Sequence, residues 1–439
     1  MKRLVYSKLI SWKNNTKHKP LIILGARQVG KTYILKEFGT KEFESMVYVN
    51  CHRDTFAKQL FRDLNVVRIT KELERYFDTT IVPGKTLVVF DEIQEVENGI
   101  ASLKYFCEDK HSLHVAVAGS LLGISIRENE SYPVGKVQTL HMFPMSFIEF
   151  LMARGKNGMV ETLTELNWDM MSAQHEPLIE LMREYFFVGG MPEAVADYCE
   201  NQNPTTVRQI QSEILDAYQR DIAKHTKNMA QRIRMVWDNI PAQLARENKK
   251  FIFGAVRKGG RAADFELALQ WLAEAGIITQ VSRAKSVTLP LKFYADPSAF
   301  KVYMLDCGLL ACMAGANPND MLLGTNAFVE FKGAFTENYI LQQLCSVLDR
   351  NNIYYFAKDN STQEIDFLVQ TSTRILPIEV KATVNVKSKS LSTFINNDHA
   401  DLGLKGVRCS LLPYADQGWM ENIPLYAAET YFQQYAEYV

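Results

Sequence analysis

At 439 residues the chain is about three times the ~150 of a typical domain, which excludes a single small binding module. Apolar residues make up 47% and charged residues 23%, with 23 Gly and 14 Pro, and this excludes a mostly disordered or collagen-like chain. Lys and Arg (49) nearly cancel Asp and Glu (50), so no whole-molecule field draws the protein to nucleic acid or membrane, and any such binding must be local. The seven cysteines (Cys51, Cys107, Cys199, Cys307, Cys312, Cys345, Cys409) are scattered and contain no C-x-x-C pair, which fits neither a disulfide framework nor a zinc site. No apolar run approaches the ~20 residues that span a bilayer. A cytoplasmic protein with no membrane partner is expected.

In chain order, residues 1–18 read as an N-terminal amphipathic segment. Residues 19–160 alternate short apolar runs (21–24, 46–49, 86–90, 114–118) with longer helical stretches, the pattern of a parallel sheet covered by helices. Residues 161–320 read as a helical and winged-helix middle: Phe265, Leu269 and Leu272 share a helical face stopped by Gly276, and 277–281 and 287–291 flank a Ser-Arg-Ala-Lys-Ser turn that suggests a hairpin. In 321–439 one long helix precedes two strands, 364–370 and 375–382. The expected fold class is α/β, with a parallel-sheet domain, a helical middle and a second α/β unit.

Gly25-Ala26-Arg27-Gln28-Val29-Gly30-Lys31-Thr32 matches G-x-x-x-x-G-K-[ST] between an apolar strand and a helix. The glycines let backbone N–H groups wrap phosphates, Lys31 neutralises the β/γ oxygens, and the Thr32 hydroxyl reaches Mg²⁺. Chance gives such a string roughly once or twice in a hundred chains of this length. The apolar run 86–90 delivers Asp91 and Glu92 to the sheet edge where such folds bind ligands, Asp91 to hold Mg²⁺ and Glu92 to deprotonate the attacking water. A third strand ends before Ser120, placed to sense the γ-phosphate or simply to turn the chain, and Arg127 and Lys136 are candidate charge stabilisers. ATP and Mg²⁺ are the expected cofactors.

Arg246, Lys249, Lys250, Arg257, Lys258 and Arg261 stand against one acid, Glu247, and Arg283 and Lys285 sit at the expected hairpin tip. That local basic face suits DNA, with a solvated charged surface as the plain alternative. Further on, Glu379-Val380-Lys381 lies in a strand whose period of two sends Glu379 and Lys381 to one face. A connection at 371–374 makes a hairpin that brings Asp366 alongside. Glu337 shares a helical face with Ile340, Leu341, Leu344 and Leu348, and a buried carboxylate needs a partner, for which a metal ion or Lys381 would serve.

Together, 25–32, Phe90-Asp91-Glu92-Ile93-Gln94, Ala118-Gly119-Ser120, Phe143-Pro144-Met145-Ser146-Phe147-Ile148-Glu149-Phe150, Phe187-Val188-Gly189-Gly190-Met191-Pro192-Glu193 and Tyr303-Met304-Leu305-Asp306-Cys307-Gly308-Leu309-Leu310 resemble the prokaryotic AAA-type ATPases with a C-terminal domain of unknown function. The resemblance implies an AAA-like core, a winged-helix middle and a nuclease-like end. Family members often carry Gly-Arg where this chain has Gly135-Lys136, and Lys lacks the planar fork of an arginine finger. The C-terminal arrangement resembles the PD-(D/E)XK, restriction-endonuclease-like core. That implies Asp366 and Glu379 as metal ligands, Lys381 as catalytic and Glu337 as metal support. The expected function is Mg²⁺-dependent ATP hydrolysis coupled to DNA binding, in a homo-oligomer, with metal-dependent DNA cleavage as an extension. The alternative is an ATP-gated regulatory or protein-remodelling switch whose nuclease-like domain binds without cutting.

Overall fold

The computed structural model describes residues 1–119, 133–224, 226–246, 250–323, 332–359, 361, 363–382 and 387–436. Tertiary contacts divide the chain into two units, 2–143 with 274–277, and 144–273 with 278–439.

The first unit is built on five parallel strands, β1 (Leu21–Leu24), β2 (Ser45–Asn50), β3 (Thr86–Asp91), β4 (His114–Ala118) and β5 (Gln138–His141), in the order β2-β3-β4-β1-β5. Every residue of β3 and β4 is buried, which is why these segments read as unbroken apolar runs: helices cover both faces of a parallel sheet. Ile22, Val49, Phe61, Ile69, Leu73, Val88, Phe90 and Phe106 form the core on one side. All strand C-termini emerge at one edge, where β1 and β3, separated by β4, deliver their loops. The N-terminal segment folds onto this unit as a helix, Tyr6–Asn14, with Leu9 and Trp12 buried and the Trp12 indole N–H donating to the Lys19 carbonyl at 2.8 Å.

The second unit opens with helices, including Phe147–Ala153, His175–Val188, Pro204–Ile222 and Lys227–Leu244. Its sheet holds β6 (Ile278–Ala284), β7 (Ala295–Met304), β8 (Ile353–Ala357), β9 (Glu364–Gln370), β10 (Ile375–Val380), β11 (Gly406–Ser410), β12 (Ala415–Asp416) and β13 (Met420–Pro424), in the order β12-β13-β11-β10-β9-β8-β6-β7. The helices Lys227–Leu244, Phe253–Val256 and Ala262–Glu274 precede β6 and β7. One expectation needs correcting. The strand β6 continues through Arg283 to Ala284, and 287–291 is not its partner, because Val287 and Leu291 pack into the core with Tyr354 and Phe356. The hairpin of β6 and β7 also pairs through β6 with β8, so one sheet carries strands from both sides of position 320.

Candidate functional site

In the first unit, the loop after β1 takes the backbone shape its sequence anticipates. Gly25 has φ +151°, and a Cβ there would run into the Met142 carbonyl, while Gly30 has φ +95°. Gln28 also takes a left-handed φ of 66°. Gly30 caps the helix Lys31–Glu42 with no side chain of its own, leaving the first-turn N–H groups to face an anion. Lys31 is 7% exposed, and its ammonium donates to the carbonyls of Gly25 at 2.8 Å and Ala26 at 2.7 Å. Burial pulls its pKa down to about 8, against the pull of Glu92 and Asp91 in the other direction. Arg3 braces the loop, donating to Val29 O at 2.8 Å and Phe143 O at 2.7 Å. No motif in the sequence marks Arg3 for this role.

Asp91, 4% exposed at the end of β3, accepts from the Thr32 hydroxyl at 2.9 Å and from the Tyr48 hydroxyl at 2.7 Å on the same oxygen. The P-loop threonine and the strand carboxylate, 59 residues apart, are thus assembled into one oxygen pair. Tyr48 on β2 escaped the sequence reading, because only the parallel β2–β3 register sets its strand beside Asp91. Burial, with the bond to Asp91 second, raises the Tyr48 pKa and keeps its hydroxyl a donor. Glu92 follows with φ 53°, a left-handed conformation that costs a non-glycine residue on the order of 1–3 kcal/mol and recurs at functional sites. Its Oε2 accepts from Gln94 at 2.6 Å. Ser120 and Arg127 lie outside the described residues. Lys136 is ion-paired with Glu108 at 2.9 Å.

Thr32 and Asp91 are the hard oxygen donors Mg²⁺ prefers, and Gly25, Gly30 and Lys31 fit a polyphosphate. Because phosphate oxygens favour the charged ammonium, ATP should raise the lowered Lys31 pKa. At about pH 8.5, above the free-state value, binding should therefore take up protons, whereas below about pH 7 Lys31 is already charged and contributes none. Calorimetry in buffers of different ionisation enthalpy checks this, and zero uptake at the higher pH would contradict it.

In the second unit, β9 and β10 form the antiparallel hairpin expected around 371–374, pairing Ile375 with Gln370 through Ile378 with Phe367. One step beyond the last pair, Asp366 accepts from the Val380 N–H at 2.7 Å. Glu379, 3% exposed, lies 3.1 Å from Lys381 and pairs in register with Arg408 on β11, while its second oxygen, Oε2, is buried without a hydrogen bond. Burial lowers the Arg408 pKa, and Glu379 opposes that. Glu337 accepts from the Tyr303 hydroxyl at 3.2 Å and lies 3.9 Å from the ammonium of Lys301, which also pairs with Glu364. Lys301 has no solvent exposure. Burial alone would lower its pKa, but Glu337, Glu364 and Asp366 outweigh that and raise it. Lys301 is thus a counter-charge beside Glu337 that sequence reasoning, which named a metal ion or Lys381, did not see. The signal was present: a single lysine among the apolar residues of 299–304 must find an acid partner when its strand is buried. Among the described residues, no three His, Cys, Asp or Glu side chains group as a metal-ligand set.

The remaining resemblance segments do structural work. Asp306, fully buried, accepts from the N–H groups of Gly190 at 2.6 Å and Leu309 at 2.9 Å and from the Gln342 amide at 3.1 Å, fastening 187–193 to 303–310. Ser146 and Glu149 form a reciprocal cap on the helix Phe147–Ala153. Arg283, expected at an exposed tip, instead donates to Asp359 at 2.6 Å and Asp296 at 2.7 Å.

The parallel sheet, glycine loop and Thr32–Asp91 pair define a P-loop nucleotide-binding domain. Residues 17–151 match the family model described as AAA domain, and the chain carries an AAA-type P-loop ATPase domain. Residues 179–320 and 332–425 match two models described as domains of unknown function, DUF8612 and DUF4143. No curated protein matches the chain. Among solved structures, the Aeropyrum pernix ORC1 protein in complex with DNA is 12% identical, covering 72% of this chain and 93% of its own at a TM-score of 0.28. The S. cerevisiae Hsp104–ADP complex is 14% identical, covering 63% and 38% at 0.29. Cdc6p from Pyrobaculum aerophilum is 12% identical, covering 74% and 96% at 0.26. Superpositions at these scores bear on neither substrate nor partner. Among the described residues, no helix is long and apolar enough to cross a membrane.

Proposed function

We propose that this protein is a Mg²⁺-dependent ATPase whose nucleotide cycle is coupled to DNA binding. The observation that supports this reading is the Thr32–Asp91 contact at 2.9 Å, between the two residues that would hold Mg²⁺. Bound Mg²⁺ supplies charge neutralisation at the phosphate oxygens. Thr32 and Asp91 would hold it, the loop N–H groups and Lys31 orient the phosphates, and Glu92, held by Gln94, takes the proton of the attacking water. Ser120 as γ-phosphate sensor and a homo-oligomer supplying a cation in trans belong to the same proposal.

The DNA surface in this reading is the exposed set Arg246, Arg257, Lys258 and Arg261, around the helices before β6. Replacing Arg257, Lys258 and Arg261 with Glu should weaken duplex binding and lower the slope of log affinity against log salt by up to ~0.9 for each phosphate that is no longer neutralised. An unchanged slope in a salt titration of binding would remove this face. Arg283, held by two carboxylates, is left out of it.

Cleavage of that DNA would call on Asp366 and Glu379 as Mg²⁺ ligands with Lys381 as the catalytic lysine and Glu337 in support. A body that binds without cutting is favoured by one observation, the basic side chains already set against these carboxylates. Nicking of supercoiled plasmid by the wild type with Mg²⁺, lost in Lys381→Ala, would restore the cleaving reading.

A further inference from the structure

The resemblance implies a divalent ion at the C-terminal carboxylates, and the residues present fit it poorly. Among the described residues, four carboxylates, Glu337, Glu364, Asp366 and Glu379, are set against three basic side chains, Lys301, Lys381 and Arg408. One net negative charge is left, too little to call for a doubly charged ion. Glu337 faces the Lys301 ammonium and the Tyr303 hydroxyl. We propose that Lys301 is the resident cation of this cluster: its ammonium, carried in on β7, does for Glu337 and Glu364 what a metal ion would do, and the C-terminal body keeps its fold without a divalent metal.

Several features support this. A fully buried lysine is tolerated only beside acids that repay its lost hydration, and Lys301 has two carboxylates in ion-pair contact, with the Tyr355 ring face 5.0 Å from its ammonium. It sits on an edge strand of the sheet, while Glu364 and Asp366 lie on β9 and Glu337 on the helix Lys332–Val347. The ammonium therefore ties three elements distant in sequence, a link that no metal site confined to β9, β10 and the helix would provide. The orphaned Glu379 Oε2 would suit a metal, and the experiment addresses it directly.

The inference rests on the reading of this body as one that binds without cutting. Plasmid nicking tests that reading, and the following measurement tests Lys301 separately. Thermal unfolding of the full chain, free of nucleotide, is followed in EDTA and in Mn²⁺. The wild type should melt at the same temperature in both. Lys301→Met should melt several degrees lower in EDTA and recover part of the loss in Mn²⁺, because it leaves the carboxylates facing one another. If that variant does not fold, Lys301→Met combined with Glu337→Gln and Glu364→Gln, which removes the unmatched charge, should fold and melt alike in EDTA and Mn²⁺. A wild-type Mn²⁺ shift that disappears in Glu379→Gln would overturn the proposal, as would a Lys301→Met midpoint equal to wild type or failure of the compensated variant to fold.

Discussion

Lys31→Ala should abolish ATP binding, whereas Glu92→Gln should bind ATP as the wild type does and hydrolyse it at least ~10-fold more slowly, a barrier increase of about 1.4 kcal/mol. Lys31 is buried against the carbonyls of Gly25 and Ala26, so its charge lies within the loop that wraps the phosphates. Alanine removes the cation and leaves those carbonyls, which repel anions, facing the ligand. Glu92 is the residue proposed to take the proton of the attacking water. It leaves β3 in a left-handed conformation held by the Gln94 amide, and glutamine preserves that shape while losing the basicity. The two variants therefore separate binding from chemistry. Equilibrium titration with a fluorescent ATP analogue reads the first effect, and phosphate release at saturating ATP reads the second.

The largest stability effect is expected at Asp306. Asp306→Ala leaves the N–H groups of Gly190 and Leu309 and the amide of Gln342 facing a fully buried void, at ~1–3 kcal/mol for each group stranded, so a total loss above ~3 kcal/mol is expected. Asp306→Asn should recover little, because an amide in this position presents N–H groups to donors. Gly189→Ala should be comparably severe, since Gly189 has φ +73° and a Cβ there would strike the Asp306 carboxylate. Urea unfolding of the three variants checks this, and a loss within ~0.5 kcal/mol for Asp306→Ala would show that the network does not hold the unit together.

What was legible in the sequence is what is local in the chain. The glycine loop, its flanking strand and helix, and the Asp91-Glu92 pair each occupy a short window, and their chemistry dictates both residue type and spacing. The β9–β10 hairpin was legible because its alternation of side chains survives burial. The rest depended on long-range pairing. Tyr48 reaches Asp91 only through the β2–β3 register, Arg3 reaches Val29 and Phe143 only once the N-terminal helix has packed, and Lys301 reaches Glu364 across a sheet whose order no local pattern encodes. The hairpin at 278–304 was misjudged for a related reason: Val287 and Leu291 are apolar because they fill the core as a loop, and periodicity does not distinguish that from a strand. The segments 143–150, 187–193 and 303–310, which carried the family resemblance, hold a helix cap and a buried hydrogen-bond network that the sequence reading did not anticipate.

Phosphate release from ATP by the purified chain, with wild type and Glu92→Gln compared at saturating nucleotide with Mg²⁺ and with EDTA, tests the central claim most directly. Mg²⁺-dependent release by the wild type, absent in EDTA and at least ~10-fold slower in Glu92→Gln at undiminished ATP occupancy, is the predicted result. Equal release by the two proteins, or release that persists in EDTA, would contradict the assignment of Thr32, Asp91 and Glu92 to ATP hydrolysis.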